Sequence, residues 1–503
     1  MSHQISRRSF VKGGLAAMAG LGALGLAGCG GGGDATAPDD TLVFLSMVPN
    51  DCLCPFASVG ADKPVQHAMF DTLYRFDPEG DVVPMLVESE AEDGLSKTLT
   101  LRGDVTFSSG APLRASDVAF SFSCIEADPS MGAFSKTYVT AVEALDERTV
   151  RVDVASSAVP WRNFLAEALY VVEEASFDTS NDYVSEAPVG SGAYVFESVD
   201  SARTVTLRAN EGYWGGAPAF KTAQVKAPVD GSTALVSLQT GETDFVAVLA
   251  QDNVAAARQD ESLCVTDFDS WSNEMLGVYV GDEKFRQAVF HAIDRQNIID
   301  ICNDGTGSPS VDMCSKKVMG EYAGIVDFVG YDLDLARECI AQSKTDLSQT
   351  FEIMTFDSAN VAQCIQEDLK KIGVSVEVST VDANTFFSAV ESGSLQMFVV
   401  GLGTDMQNVQ LMLPLLFGPD STYSFPVSDD FKAGIARLDE CVAAGGDPHD
   451  AIADVCSRMA VECPVVPLYD VNYHDVYRRE VGNVSPSSSG TYVYYFGDYT
   501  IEA

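Results

Sequence analysis

Histidine is nearly missing from this chain, with five in 503 residues. His3, His67, His291, His449 and His474 stand far apart, so no HExxH or other paired-histidine metal pattern can form, and no metal is expected. Positive charge is also scarce. Lys and Arg number 31 against 73 Asp and Glu, a formal charge of −42. Such a surface repels phosphate backbones and anionic headgroups, which excludes nucleic acid as a partner and a basic patch as a membrane contact. Salt adaptation would also produce acidity, but twelve cysteines and a 46% hydrophobic fraction make it the weaker explanation. Beyond residue 29 no apolar run reaches the ~20 residues that a spanning helix needs, so the body of the chain reads as soluble. The GxSxG elbow of serine hydrolases and the Walker loop are missing too, and no cofactor is expected.

What the chain does have begins at its start. Arg7, Arg8 and Lys12 precede an uncharged stretch, Gly13–Gly28, that leads into Cys29 and four glycines. A basic head, an apolar run and small residues before a cut form a signal-peptide layout, expected over 1–28. Ser6-Arg7-Arg8-Ser9-Phe10-Val11-Lys12 resembles the twin-arginine export signal, and Leu26-Ala27-Gly28-Cys29 resembles a lipoprotein box. These resemblances imply that Cys29 carries lipid and that 29–40 is a flexible glycine-rich tether. An uncleaved apolar anchor is the alternative. Either way the remainder is held at a membrane on the extracytoplasmic side. Losing the three cations of 1–28 takes the formal charge from −42 to −45.

Eleven cysteines follow Cys29, an odd number, so at least one has no partner within the chain. Cys302 and Cys314 flank a Gly/Ser/Pro/Asp loop and are the expected disulfide; Cys456 and Cys463 come second. Twin-arginine export moves folded chains out of a reducing compartment, so any bridge should form late and be dispensable for folding. Cys52-Leu-Cys54 is too short for zinc-site spacing.

From Thr41 onward, short β runs alternate with helical periodicity, which predicts an α/β protein with several mixed sheets. The chain exceeds one ordinary domain. Asp282 is an expected cap for one long helix over Glu283–Ile301, and Gly241 an expected left-handed helix stop. Gln396–Leu402 reads as a strongly apolar strand.

Several segments occur in a telling order: LTLRGDVTFSSGAPLRASDVAFSF (99–122), APVGSGAYVFESV (187–199), LRANEGYWGG (207–216), LQTGETDFVAV (238–248), KFRQAVFHAIDRQNII (284–299), IQEDLKKIGVSVEV (365–378) and VVPLYDV (465–471). In this order the chain resembles the family 5 extracellular solute-binding proteins of ABC importers. PVGSGAY and AIDR are the most diagnostic pair. Gly190 and Gly192 are read as a sharp turn anchored on Val189, Tyr194 and Phe196, and the helix carrying Arg286 and Arg295 as structural. The resemblance implies a periplasmic-binding-protein fold. It has a first lobe over 41–250 with a subdomain inserted at about 70–185, a second lobe over 251–462, and a return to the first over 463–503.

It further implies a ligand cleft against the loop after Leu402. Peptide-binding members carry an aromatic near Leu402 and an Asp-Pro near Asn408-Val409; this chain departs at both. Asp405 is the carboxylate left to meet a peptide ammonium, with Gly403, Thr404 and Asn408 beside it, although a turn or capping role serves it equally well. Asn50 and Phe56 are expected on the opposite wall, and Trp271 could stack on the ligand. The function expected is a lipid-anchored, monomeric receptor that delivers a small solute, foremost a short peptide, to importer permease subunits. A non-peptide solute such as an organic cation or metal chelate, or an extracytoplasmic hydrolase, are the alternatives.

Overall fold

A computed structural model describes residues 40–502 except 47–52, 57–62, 158, 182, 184–185, 228–229, 357, 403–407, 419–420, 422, 424 and 486–492. Cys29, Asn50, Gly403, Thr404 and Asp405 therefore lie outside the described residues, together with the signal segment and the tether.

An eleven-stranded sheet runs through the chain. Its main strands are β1 (Thr41–Leu45), β2 (Tyr194–Val199), β3 (Val205–Ala209), β4 (Thr222–Lys226), β5 (Phe245–Val246), β6 (Leu263–Val278), β7 (Thr350–Thr355), β8 (Ser375–Thr380), β9 (Met397–Leu402) and β10 (Val465–Arg478). They lie in the order β8-β7-β9-β6-β10-β5-β1-β4-β3-β2. β1 pairs in parallel with β4 and β5, and β7 in parallel with β8 and β9. Parallel strands need both faces covered, and the side chains comply by alternating. Leu276, Ile353 and Val399 enter one core with Phe285 and Ile365, whereas Met275, Phe398 and Val400 enter another with Leu413, Ile435 and Val455. The first-lobe core is larger and aromatic. Phe44 stacks on Phe245 at 4.7 Å and meets the edge of Tyr494 at 5.1 Å.

Inside the expected insert, Val87–Asp93, Ser96–Leu101, Thr149–Val154 and Val139–Ala144 form a four-stranded antiparallel sheet. Leu99, Leu101, Val150 and Val152 point from it into the first-lobe core.

β6 and β10 are the long pair that belongs to both lobes. Their pairing breaks between Asp269↔Asn472 and Asn273↔Asp470, leaving residues 270–272 bulged opposite Val471. Ser270 fixes the bulge: its Oγ donates to Val471 O at 2.6 Å and accepts from Ser272 N at 3.0 Å. The helix Gln251–Arg258 and the start of β6 share a core with Leu45, Leu238 and Val476 of the first lobe. Ala257 and Leu263 are thus buried in one core with Leu45, Leu238 and Val476.

Two expectations need correction. The single helix over Glu283–Ile301 is two helices, Glu283–Ala292 and Arg295–Cys302. Asp294 separates them. Its side chain caps Asn297 N at 3.1 Å, and its own amide turns to Asp368 Oδ2 at 2.9 Å, so the side chain competes successfully with the helix ladder. The disulfide expected between Cys302 and Cys314 is not formed. Cys314 is buried in the core with Met313 and Met319, while Cys302 packs on the opposite core, 3.8 Å from Cys364 Sγ. Cys456 and Cys463 are likewise free thiols. The turn at Gly190 and Gly192 is also packed tightly against its neighbours. A Cβ on Gly192 would lie 2.5 Å from the Met69 carbonyl carbon and 2.6 Å from Ala68 O.

Candidate functional site

The bulge re-aims the side chain at its apex, and that side chain is Trp271. The indole is half-buried, and its Nε1 meets no acceptor among the described residues. Lys317 Nζ sits 4.9 Å over the ring, a cation–π contact. Lys317 follows the short helix start at Ser315, whose side chain caps Val318 N at 3.4 Å, and its ammonium also donates to Asp269 O at 3.1 Å. Burial lowers the Lys317 pKa, opposed by the charges of Asp269 and of Glu167. Glu167 belongs to the first lobe, so the lysine of one lobe and the carboxylate of the other are within electrostatic reach across the gap.

Glu167 ends the helix Trp161–Glu167 and pairs with Lys63 Nζ at 3.8 Å, both side chains 6–7% exposed. Lys63 opens the helix Lys63–Met69, which is buried along its whole length. A buried pair of this kind is costly unless its remaining hydrogen-bond capacity is used. Gln66 and His67 follow on the same helix; Gln66 Nε2 and His67 Nε2 find no partner among the described residues. The His67 ring lies edge-on between Tyr170 at 4.9 Å and Tyr495 at 5.4 Å. Burial, with Lys63 and Arg75 nearby, lowers its pKa well below the usual range and keeps the imidazole neutral.

From the second lobe, Asn273 follows the bulge, pairs with Leu402 at the end of β9, and donates Nδ2 to Met313 O at 3.1 Å. Gln410 donates to Tyr322 OH at 3.4 Å, leaving Oε1 without a partner among the described residues. These elements bring together two ammonium groups, one carboxylate, the unpartnered Nε2 of Gln66 and Nε1 of Trp271, and the unpartnered Oε1 of Gln410. The ammonium groups and the indole suit oxygen acceptors that carry negative charge, and the Gln410 oxygen suits a donor.

The residues expected here fare unequally. Trp271 is at the hinge, with Lys317 on its ring. Leu402 closes β9, paired with Asn273. Asn408 is a helix cap, its Oδ1 accepting Gln410 N at 2.7 Å, which commits that oxygen to the backbone. Phe56 is a core residue, 5% exposed and 5.6 Å from the Phe177 ring, because a phenyl side chain gains more in that aromatic cluster than on an open wall. Lys63, Glu167 and Lys317 were missed. The Lys316-Lys317 doublet in so acidic a chain was the available signal; Lys63 and Glu167 carried none.

The diagnostic motifs are scaffold. Asp71 accepts from Trp214 Nε1 at 2.7 Å, Ser191 Oγ at 2.9 Å and Tyr213 OH at 3.2 Å, tying EGYW and PVGSGAY to the end of the Lys63–Met69 helix. Arg295 of AIDR is 3% exposed and donates Nε to Ser310 O at 2.9 Å and Pro467 O at 2.7 Å. His291 bonds Gly330 O at 3.0 Å, a packing role.

Comparison with known proteins agrees with this architecture. Protein XP55 of Streptomyces lividans is 30% identical over 293 residues, 55% of this chain, and the match spans about half of that protein (52%). The glutathione-binding protein GsiB of Salmonella typhimurium is 24% identical over 79% of this chain and 81% of its own length. The crystal structure of NikA from Brucella suis with Fe(III)-EDTA superposes with a TM-score of 0.81 at 19% identity, over 92% of this chain and all of that one (100%). That likeness shows a two-lobed periplasmic-binding-protein fold. The description "bacterial extracellular solute-binding proteins, family 5" matches residues 81–424, well over half of the sequence, and this chain belongs to that family.

Proposed function

We propose that this chain is a lipid-anchored extracytoplasmic receptor that captures a small carboxylate-bearing solute, foremost a short peptide, between its lobes and delivers it to an ABC importer. The observation that carries the ligand class is the facing of Lys63 and Glu167 in one lobe with Lys317 and Trp271 in the other. Two cations kept in the cleft of a chain with net charge −42 are a costly arrangement that an anionic ligand would repay. Relatives support the same chemistry: glutathione is a tripeptide with two carboxylates, and EDTA is a polycarboxylate chelator. Asp405, outside the described residues, is the proposed partner of a peptide ammonium. The acceptor-rich metal chelate is the second reading, favoured by the NikA complex and by a nickel-binding relative.

Calorimetry of the mature protein against short peptides tests this, comparing free acids with C-terminal amides and free with blocked N-termini. The free acid should bind tighter. Lys317→Met should weaken it by about 1.5–3 kcal/mol, roughly 10- to 150-fold in Kd, and abolish the preference over the amide. Asp405→Asn should remove the preference for a free amine. Equal binding of acid and amide by wild type would refute the carboxylate reading, and hydrolysis of the peptides would point to an enzyme instead. For the anchor, Cys29→Ala should release the protein from membranes and abolish fatty-acid labelling.

A further inference from the structure

Of ten described cysteines none is bonded. One pair of sulfurs nevertheless touches: Cys302 Sγ and Cys364 Sγ stand 3.8 Å apart. Both are half-buried against the same core of the second lobe. Cys302 is the last residue of the helix Arg295–Cys302, and Cys364 lies within the helix Ala359–Lys370. These helices are already joined near their other ends by the Asp294 amide and Asp368 Oδ2 at 2.9 Å, so their relative placement is set without the sulfurs. Position matters as much as contact. The residue after Cys302 is Asn303, whose carbonyl accepts from Gln251 Nε2 of the first lobe at 3.1 Å. Asn303 also lines a cavity of about 220 Å³, together with Gln251, Glu274 and Tyr469.

We propose that Cys302 and Cys364 form a disulfide in the exported protein, stapling the end of the helix that touches the first lobe to the outer helix beside it. This rests on the extracytoplasmic placement above, where an oxidising environment lets disulfides persist. The oxidant is a disulfide of another molecule. One cysteine thiolate attacks it, forming a mixed disulfide and releasing one thiol. The second cysteine then displaces the other half, so two thiols of this chain lose two protons and two electrons while one external disulfide becomes two thiols. A shift of rotamer at each cysteine closes the remaining gap, since the bonded sulfurs sit at about 2.05 Å. Burial and the neighbouring sulfur push the Cys302 thiol up to about 12, so thiolate is scarce and the bond forms slowly, after folding. The staple spans 62 residues of sequence, a long loop whose closure restricts the unfolded chain strongly.

The test uses the full mature chain, purified and held overnight with oxidised glutathione at mildly alkaline pH, then digested without reductant. The expected result is one cross-linked peptide pair containing Cys302 and Cys364, lost on reduction. Reduction should lower the Tm of wild type by several degrees and leave the Tm of Cys302→Ser and Cys364→Ser unmoved by reductant. Alkylation of both thiols in denaturant without reductant, or a link from Cys302 to Cys314, would overturn the proposal. The peptide map reads the bond whether or not a ligand binds. Calorimetry on the same oxidised sample tests the receptor reading separately.

Discussion

Asp71 shows how one buried group can tilt the stability of the whole first lobe. Burial raises its pKa to about 6, against the three donors from Trp214, Ser191 and Tyr213 that favour the carboxylate. The folded chain therefore holds this proton more tightly than the unfolded chain, whose carboxyl titrates near 4. Ionised Asp71 costs stability above pH ~6, the cost fades as pH falls towards ~4, and its full size is about 3 kcal/mol. Asp470, also raised to about 6 by burial, adds in the same direction. Urea unfolding should show greater stability at pH 5 than at 7.5. Asp71→Asn should flatten part of that slope by removing the titrating group: its oxygen can keep Trp214 and Ser191 while the Tyr213 hydroxyl turns to accept from the new amide. An unchanged slope would remove Asp71 from the account. Steric exclusion operates at the same scale. Gly192→Ala would drive its methyl into the Met69 and Ala68 backbone, which cannot yield, and should cost more than 2 kcal/mol.

Among elements, the pair of helices around Asp294 and the strand β10 depend on one arginine. Arg295 reaches carbonyls of Ser310 and Pro467 through Nε, and of Phe290 and Ile293 through Nη1 at 3.4 and 3.3 Å. Its guanidinium also lies 4.6 Å over the Phe290 ring. Desolvation lowers its pKa to about 10, so it stays charged at neutral pH. Only a planar, multi-donor cation satisfies these carbonyls together. Both Arg295→Lys and Arg295→Met should lower the urea midpoint, the Met variant by about 3 kcal/mol or more. A Lys variant as stable as wild type would show that charge alone suffices. The sequence reading recognised this segment as structural but placed it on one continuous helix. Helical periodicity continues through Asp294; the break depends on Asp368, a residue distant in sequence that draws the amide away.

At the scale of the molecule, β6 and β10 run through both lobes and the Gln251–Asn303 contact adds to them, so a ligand held from both sides should stabilise the closed form. Saturation at 100-fold Kd corresponds to about 2.7 kcal/mol, and a peptide that binds should raise the Tm by a few degrees without being consumed. If the proposed contact runs through the two ammonium groups, that shift should shrink in high salt. A salt-independent shift would argue for an apolar or neutral ligand.

What the sequence determined by itself is whatever local pattern can encode. The alternation of strands and helices, the Gly241 stop at φ 76°, the Asp282 cap on Phe285 N at 2.9 Å, and the family-bearing order of motifs were all legible. The caps, stops and alternation depend on residues within a turn or two of one another, and the motif order is read directly along the chain. Tertiary structure decided the rest. It made Phe56 core and Asn408 a cap, bulged β6 at residues 270–272, and set Cys302 against Cys364 in place of Cys314. It also brought Lys63, Glu167 and Lys317 to one gap. Those three are separated by long stretches of chain, and an ion pair or a cation over an indole leaves no periodicity behind. Only the folding of two lobes around a pair of shared strands brings them together.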